Sequence, residues 1–117
     1  TRQAPLLPAF IADDAAVSRS LVAPGSRVAG TVEHSVIGEN VTIEAGAVVR
    51  NCVLLDGVHV GSGVELLNVV ADSDAHITGG SRRGSPQHVT VIDRHGVVSE
   101  REPFDTSAVL PRDWEQY

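Results

Sequence analysis

Aliphatic residues recur at six-residue intervals along much of this chain. The recurring pairs include Val22 and Val28, Ile37 and Ile43, Ile43 and Val49, Leu54 and Val60, and Val60 and Leu66. A six-residue step is long enough for one short strand and one corner, and three such steps return the chain above its starting point. The period therefore predicts stacked triangular turns that lie about 4.8 Å apart and pair as parallel strands.

The six-residue steps are grouped into four similar rows. The rows begin at Val17, Val32, Val49 and Leu66. Their spacings are 15, 17 and 17 residues, and the first is shorter because the step from Val28 to Val32 contracts to four residues. Each row runs into a turn such as Ala-Pro-Gly or Gly-Glu-Asn, and glycine and asparagine favour tight left-handed corners. Residues 11–80 are therefore predicted to form a parallel β-helix of about four coils, an all-β fold.

Other architectures fit the pattern less well. A helix would need apolar residues at i, i+3, i+4 and i+7, and no such stripe survives across the glycines between positions 25 and 63. A β-sandwich would need alternating hairpin strands, which a strict period of 17 does not suggest. Methionine is absent and only four residues are Phe, Trp or Tyr, so the core must be aliphatic.

The remaining segments are expected to close the ends of the stack, because terminal rows need caps or a partner. Residues 1–10 are predicted to run extended along the first row. Residues 81–99 are predicted to hold an arginine-bearing loop and two capping strands, at 88–92 and 96–99. Residues 100–117 are expected to be an irregular tail, in which Trp114 and Tyr117 either dock or are disordered. The 117 residues thus form one domain.

Charge and composition exclude several classes of function. The net charge of −6 argues against a nucleic-acid partner. No apolar run reaches the roughly 18 residues of a membrane span, and no secretory signal is visible. Cys52 is the only cysteine, which rules out an internal disulfide and fits a reducing compartment, so a cytoplasmic location is expected. The start at Thr1 fits a trimmed protein or a piece of a longer one.

Stacking places equivalent residues of successive rows in outward columns. One column contains Arg27, Thr42, His59 and His76. Because His59 and His76 are 17 residues apart, their rings are expected about 5 Å apart, where they could share a metal or an anion. The alternative is that both are solvated surface residues, since the sequence names no third ligand.

A second column contains Arg19, His34, Asn51 and Asn68. Its two asparagines are expected to form a stacked amide ladder, which is a structural use. Cys52 belongs to a neighbouring column of small residues that is predicted to serve packing. A nucleophilic role for Cys52 would need an adjacent base or a positive field.

Two arginines are candidates for anion binding. Arg82 and Arg83 follow two glycines, and paired guanidinium groups could grip the phosphate of an effector. The alternative is a solvated loop. Asp72 and Asp74 could suggest a cation site, but a turn rich in Asp and Ser needs no ion to explain it.

Two rows and their continuation carry a family resemblance. V-E-H-S-V-I-G-E-N-V and V-R-N-C-V-L-L-D-G-V-H-V-G-S-G-V, followed by N-V-V-A-D-S-D-A-H-I, resemble the carboxy-terminal left-handed β-helix of bacterial ADP-glucose pyrophosphorylases (glucose-1-phosphate adenylyltransferases). L-L-P-A-F-I and V-T-V-I-D-R-H-G-V-V are similar to the segments that begin and end that helix. The resemblance covers roughly residues 5–99. It alone implies the left hand, since parallel crossovers usually have the opposite hand.

The resemblance implies a non-catalytic domain. In that family an amino-terminal Rossmann-like domain, with a Gly-rich loop and metal-binding aspartates, converts ATP and glucose 1-phosphate to ADP-glucose for glycogen synthesis. No such loop is present here, so no cofactor is expected in this chain and Mg²⁺ only in the catalytic domain. The implied roles are packing on that domain, assembly of a homotetramer and a share in a site for a phosphorylated effector.

Some features depart from the family pattern and leave alternatives open. The S-R-R-G-S-P-Q segment and the tail after Ser99 do not match it. A stand-alone hexapeptide-repeat enzyme, either an acyltransferase or an enzyme of the γ-carbonic-anhydrase type, is one alternative. An oligomerising scaffold is the other.

Overall fold

Short strands make up all the regular structure of the described chain. The computed structural model of the protein describes residues 8–79, 82–96 and 98–101. These residues contain sixteen strands and no helix, hence no helix long and apolar enough to cross a membrane. The strands are β1 Phe10–Ile11, β2 Ala16–Ser18, β3 Leu21–Val22, β4 Arg27–Val28, β5 Thr31–Glu33, β6 Val36–Ile37, β7 Thr42–Ile43, β8 Val48–Arg50, β9 Val53–Leu54, β10 His59–Val60, β11 Glu65–Leu67, β12 Val69–Ala71, β13 His76–Ile77, β14 Arg82–Gly84, β15 Val89–Ile92 and β16 Val98–Arg101.

The strands form three sheets that wind around one axis. Sheet A has the order β1-β4-β7-β10-β13, sheet B the order β14-β11-β8-β5-β2, and sheet C the order β16-β15-β12-β9-β6-β3. All pairings are parallel except that of β15 with β16. Each turn contributes one strand to each sheet, which gives a parallel β-solenoid of about five turns. This architecture confirms the predicted fold and is consistent with a hexapeptide-repeat left-handed β-helix.

The solenoid extends further than the sequence pattern indicated. Arg82–Gly84 was expected to be a loop, but it forms β14 and pairs in register with β11. The aliphatic pattern misses this strand because Arg83 takes the inward position that Leu66 holds one turn earlier. A fifth turn therefore follows the predicted four. The expected terminal strand pair is present as β15 and β16, but the second strand is Val98–Arg101, so Glu100 and Arg101 are paired strand residues and not the start of an irregular tail. The expectations for residues 1–7 and 102–117 lie outside the described residues.

The core is a set of inward columns that run along the axis. Val49 and Val60, predicted as axial anchors, both have 0% of their surface exposed. Their neighbours in the columns are also buried, including Val28, Val32, Ile37, Ile43, Leu54, Leu66, Ala71 and Ile77. Aliphatic side chains stacked on aliphatic side chains give a continuous dry interior, and burying each one stabilises the fold by about 1.5–3 kcal/mol.

The two ends of this core differ. In the first turn the inward residues Ile11 and Val17 are still 42% and 37% exposed. In the last turn Ile92 is buried, and the guanidinium of Arg83 donates to the carbonyl oxygen of Thr78 at 3.1 Å. The described chain therefore covers the core at its carboxy-terminal end and leaves it open at the first turn.

At the corner between sheets C and A, glycine in one turn alternates with asparagine or aspartate in the next. The polar side chain occupies the space beside the glycine. Gly25, Asn40, Gly57 and Asp74 lie in successive turns with φ of 80°, 57°, 77° and 63°. A Cβ added at Gly57 would overlap Asp74 Oδ1, and one added at Gly25 would overlap Asn40 Oδ1. Glycine is required here both for its positive φ and for the polar group above it.

Val60→Asp should unfold or strongly destabilise the chain, because it places a carboxylate in a dry aliphatic column. We expect a loss of several kcal/mol in the free energy of unfolding, measured by denaturant titration. His59→Ala is the matched control at the adjacent outward position and should cost about 0.5 kcal/mol or less. A Val60→Asp protein with unchanged stability would contradict the register.

Gly57→Ala should cost more than Gly46→Ala. Both substitutions place alanine at positive φ, which costs about 1–2 kcal/mol. A Cβ at Gly46, however, meets no atom closer than 3.6 Å. Adding Asp74→Gly to Gly57→Ala should remove the overlap and bring its unfolding free energy to the level of Gly46→Ala. Equal losses for the two single variants, or no recovery in the double variant, would contradict this account of the corner.

Candidate functional site

The histidine pair of sheet A forms as predicted. His59 and His76 are partners in the parallel register, below them lies Thr42, and Arg27 is one turn further down. The ring centroids of the two histidines are 5.3 Å apart and the ring planes differ by 11°. His59 Nε2 also lies 2.5 Å from Glu44 Oε2. The pair is thus a stacked, carboxylate-anchored feature of the solenoid surface.

The stacking limits what the two histidines can bind in this conformation. The lone pairs of an imidazole lie in the plane of its ring, so two nearly parallel rings do not direct them at one point. In residues 8–79, 82–96 and 98–101, no group of three or more His, Cys, Asp or Glu side chains is arranged to hold a metal ion. Metal binding at His59 and His76 stays a prediction, and it requires at least one ring to rotate.

The second candidate site is a groove of about 300 Å³ on the outer face of sheet B. Arg50 and Arg82 border it, and each is matched by a glutamate of the preceding turn. Arg50 Nε lies 3.0 Å from Glu33 Oε2, and Arg82 Nε lies 3.6 Å from Glu65 Oε2. The Arg82 side chain is 83% exposed. Such exposed pairs contribute little to stability, so both guanidinium groups can exchange partners easily.

The predicted pairing of Arg82 with Arg83 is only partly present. Both border the groove, but Arg83 takes the inward position and hydrogen bonds the carbonyl oxygens of Thr78 and Arg82. Arg50, two turns earlier and in the other outward column of sheet B, is the second outward arginine that borders the groove. Sequence reasoning missed it, although its distance of 17 residues from Glu33 is the spacing that signals stacked partners.

The predicted amide ladder is present at the corner between sheets B and C. Asn51 Nδ2 donates to Asn68 Oδ1 at 2.8 Å, and Asn68 Nδ2 donates to the carbonyl oxygen of Ser85 at 2.9 Å. His34 Nδ1 lies 2.6 Å from Asn51 Oδ1, so it carries a proton and extends the ladder downward. Arg19, His34, Asn51 and Asn68 all have φ between 49° and 57°. The ladder offsets the strain of that backbone with hydrogen bonds between turns.

Cys52 is a packing residue, as predicted. It is 2% exposed, its thiol donates to the carbonyl oxygen of Arg50, and its amide donates to Ser35 Oγ. Ser35 repeats the same two contacts with Glu33 and Ser20 one turn below. Burial raises the pKa of the Cys52 thiol to about 11. A thiol held neutral in this way is a poor nucleophile.

The raised pKa of Cys52 predicts a loss of stability at alkaline pH. The pKa in the folded protein, about 11, lies above its ordinary value of 9.0, so folding favours the neutral thiol. This contribution is complete below about pH 9 and is lost as the pH rises through 11. We expect the free energy of unfolding to fall by about 2 kcal/mol between pH 8 and 10.5.

Cys52→Ser is the matched control for that titration, because Ser20 and Ser35 already occupy the same column. Its unfolding free energy, measured by denaturant titration monitored by circular dichroism, should change less over the same pH range. An equal alkaline loss in this variant would show that another group is responsible.

Comparison with known proteins places the chain among proteins with the same kind of repeat. The sequence profile described as "GlmU-like, C-terminal hexapeptide" matches residues 9–101. The chain is 34% identical over 98 residues to the glucose-1-phosphate adenylyltransferase of Corynebacterium jeikeium, covering 80% of this chain and 24% of that protein. It is 34% identical over 74 residues to proteins of the same name from Bacillus thuringiensis and Bacillus mycoides, covering 63% of this chain and 20% of each.

These matches confirm the resemblance to glucose-1-phosphate adenylyltransferases, and they also show that the chain spans a quarter or less of the length of these relatives. The profile match includes every strand of the solenoid, from β1 to β16. On that basis, the chain belongs to the GlmU-like C-terminal hexapeptide family.

Proposed function

We propose that this chain is the carboxy-terminal assembly and regulatory domain of a cytoplasmic glucose-1-phosphate adenylyltransferase that serves glycogen synthesis. The observation that carries the proposal is the coverage: the alignment takes in 80% of this chain but only 24% of the relative. Adenylyl transfer from ATP to glucose 1-phosphate then takes place in the part of the protein outside these 117 residues. The solenoid is a partner of that catalytic part.

The chemistry of the described side chains supports a non-catalytic role. Phosphoryl-group chemistry of this kind uses Mg²⁺ held by carboxylates beside the nucleotide phosphates. The described residues offer no cluster of three metal-ligating side chains, so they do not fit that ion. Cys52 is buried with a raised pKa, and Glu33 and Glu65 are paired with arginines. We therefore assign no step of the reaction to the described residues.

The sheet B groove is the proposed place for a phosphorylated effector. Phosphate is bound best by two guanidinium groups, and Arg50 and Arg82 both border this groove. Arg82 is the more exposed of the two, and its contact with Glu65 is the longer, at 3.6 Å. An effector phosphate would displace Glu65 from Arg82 first. Arg83 borders the same groove, and its guanidinium group is hydrogen bonded to the carbonyl oxygens of Thr78 and Arg82.

The open first turn supports the proposed role in assembly. Ile11 and Val17 are inward residues of the solenoid, yet 42% and 37% of their surfaces are exposed. Burial of such an end against another subunit, or against the catalytic part, would stabilise the complex by the hydrophobic effect. A homotetramer is the assembly proposed for the parent protein.

The proposal predicts how activity divides between the parent protein and this chain. The product of the unmodified gene should form ADP-glucose from ATP, glucose 1-phosphate and Mg²⁺, and the 117-residue chain should form none. The mass of that gene product, measured by intact mass spectrometry, should be several times the mass of this chain. ADP-glucose formation by the chain alone, or a native product of only 12.3 kDa, would contradict the proposal.

The assembly role is tested separately in the parent protein. Val60→Asp, which disrupts the solenoid core, should reduce the tetramer to smaller species in light scattering. Thr42→Ala, on the outer face of sheet A, is the control and should leave the tetramer intact. If the parent protein with Val60→Asp remains tetrameric, the assembly role is refuted. That result would not affect the proposal that ADP-glucose forms in the other part of the protein.

A further inference from the structure

The outward columns of the three sheets differ in chemistry. That of sheet C is aliphatic throughout and consists of Leu21, Val36, Val53, Val70 and Val91. That of sheet A ends, in the fourth and fifth turns, with His59 and His76, whose ring centroids are 5.3 Å apart. Imidazole is the side chain that most often binds transition-metal ions. Sheet A thus holds two such side chains side by side.

Glu44 determines which nitrogen of His59 is free to bind an ion. Its Oε2 lies 2.5 Å from His59 Nε2, and an ionised carboxylate only accepts hydrogen bonds, so Nε2 carries the proton. In the neutral ring the lone pair is then on Nδ1. A carboxylate on the second nitrogen is the usual partner of a metal-binding histidine, because it fixes the tautomer and raises the basicity of the ligand. Glu44 is therefore a positioning residue for His59.

His76 is able to supply a second nitrogen. Its side chain is exposed, and within the part of the chain that the structure describes it makes no hydrogen bond or ion pair, only the stack on His59. Exposed rings rotate in picoseconds to nanoseconds. The two backbones are about 4.8 Å apart, and two nitrogens on one tetrahedral ion lie about 3.3 Å apart. Rotation of His76 out of the stack can thus direct a lone pair to an ion on His59 while the backbone stays in place.

The donor atoms select the class of cation. Imidazole nitrogens suit Zn²⁺, Cu²⁺ and Ni²⁺, whereas Mg²⁺ and Ca²⁺ need oxygen ligands. The nearest cationic residue of the same column is Arg27, which is two turns below His59. Since the described residues contain no cluster of three or more His, Cys, Asp or Glu side chains arranged for a metal, the other coordination positions are left to water or to an anion.

We propose that His59 and His76 form a binding site for a late first-row divalent cation such as Zn²⁺, and that Glu44 holds His59 in the form protonated at Nε2. The ion binds His59 Nδ1 and one nitrogen of His76, and it links the fourth and fifth turns on the outer face of sheet A. The site lies on a different face from the sheet B groove. Its test is therefore independent of the function proposed above.

Titration calorimetry of the 117-residue chain with Zn²⁺ measures the affinity and the stoichiometry. We expect one ion per chain. Glu44→Gln should lower the affinity about tenfold, as other changes in the second shell of a metal do, and His76→Ala should lower it further. Two matched controls should leave the affinity unchanged: His34→Ala removes an exposed histidine at another corner, and Glu65→Gln makes the same charge change on sheet B.

Nitrogen-15 NMR of the histidine rings provides a readout that a purely structural role of Glu44 would not move. In the metal-free chain the proton of neutral His59 should be on Nε2, and Zn²⁺ should shift the resonance of Nδ1. In Glu44→Gln the fraction of His59 protonated at Nδ1 should rise, because a neutral amide is a weaker acceptor than a carboxylate.

Four results would overturn the proposal. Absence of both Zn²⁺ binding and ring shifts would refute the site. Equal losses of affinity in His34→Ala and His76→Ala would mean adventitious binding to exposed histidines. One ion per two chains would mean that two copies share the ion. A Zn²⁺-induced shift at Nε2 of His59 would place the ion between His59 and Glu44, and would remove the positioning role of Glu44.

Discussion

The pairing of each turn with the next at a fixed register is the constraint on which the rest of the structure depends. Once His59 lies over Thr42, every residue of the third and fourth turns lies over the residue 17 positions away. A repeat in the sequence thereby becomes a column in space. Inward columns form the core, corner columns form the asparagine ladder, and outward columns set the character of each face.

The same constraint makes the corners less tolerant than the strands. At a strand position, the residue only has to suit the inward or outward direction of its side chain. At a corner position, it must also leave room for the corner residue of the next turn. Gly57 leaves space that Asp74 fills, and Gly30 lets the main chain of Ala47 approach closely. Gly30 is also where the second turn is two residues shorter than the first, third and fourth turns. A shortened turn can stay in register only if its backbone passes close to its neighbour, and only glycine allows this.

The sequence alone was sufficient for the features that repeat. The axial anchors, the stacked histidines and the asparagine ladder all follow from the 17-residue spacing, because stacking converts that spacing into contact. The fifth turn could not be predicted in this way. Its inward position on sheet B is Arg83, and at the end of a stack a long side chain can lay its stem on the core while its head group reaches main-chain carbonyls. The role of Arg50 was missed because exposed ion pairs leave no hydrophobic signal.

The division between core and faces explains how this scaffold can carry several functions at once. The interior is closed by aliphatic residues that alternate with outward ones along each strand, as in β11 and β15. An outward substitution therefore leaves the axial packing intact, and each face can change independently. Sheet A presents histidines, sheet B presents arginine–glutamate pairs, and sheet C presents a hydrocarbon surface. Of these three faces, only that of sheet C is stabilised simply by being covered, because removing apolar surface from water lowers the free energy whatever the chemistry of the partner. The hydrocarbon face is thus suited to permanent contacts, and the charged face of sheet B to ligands that come and go.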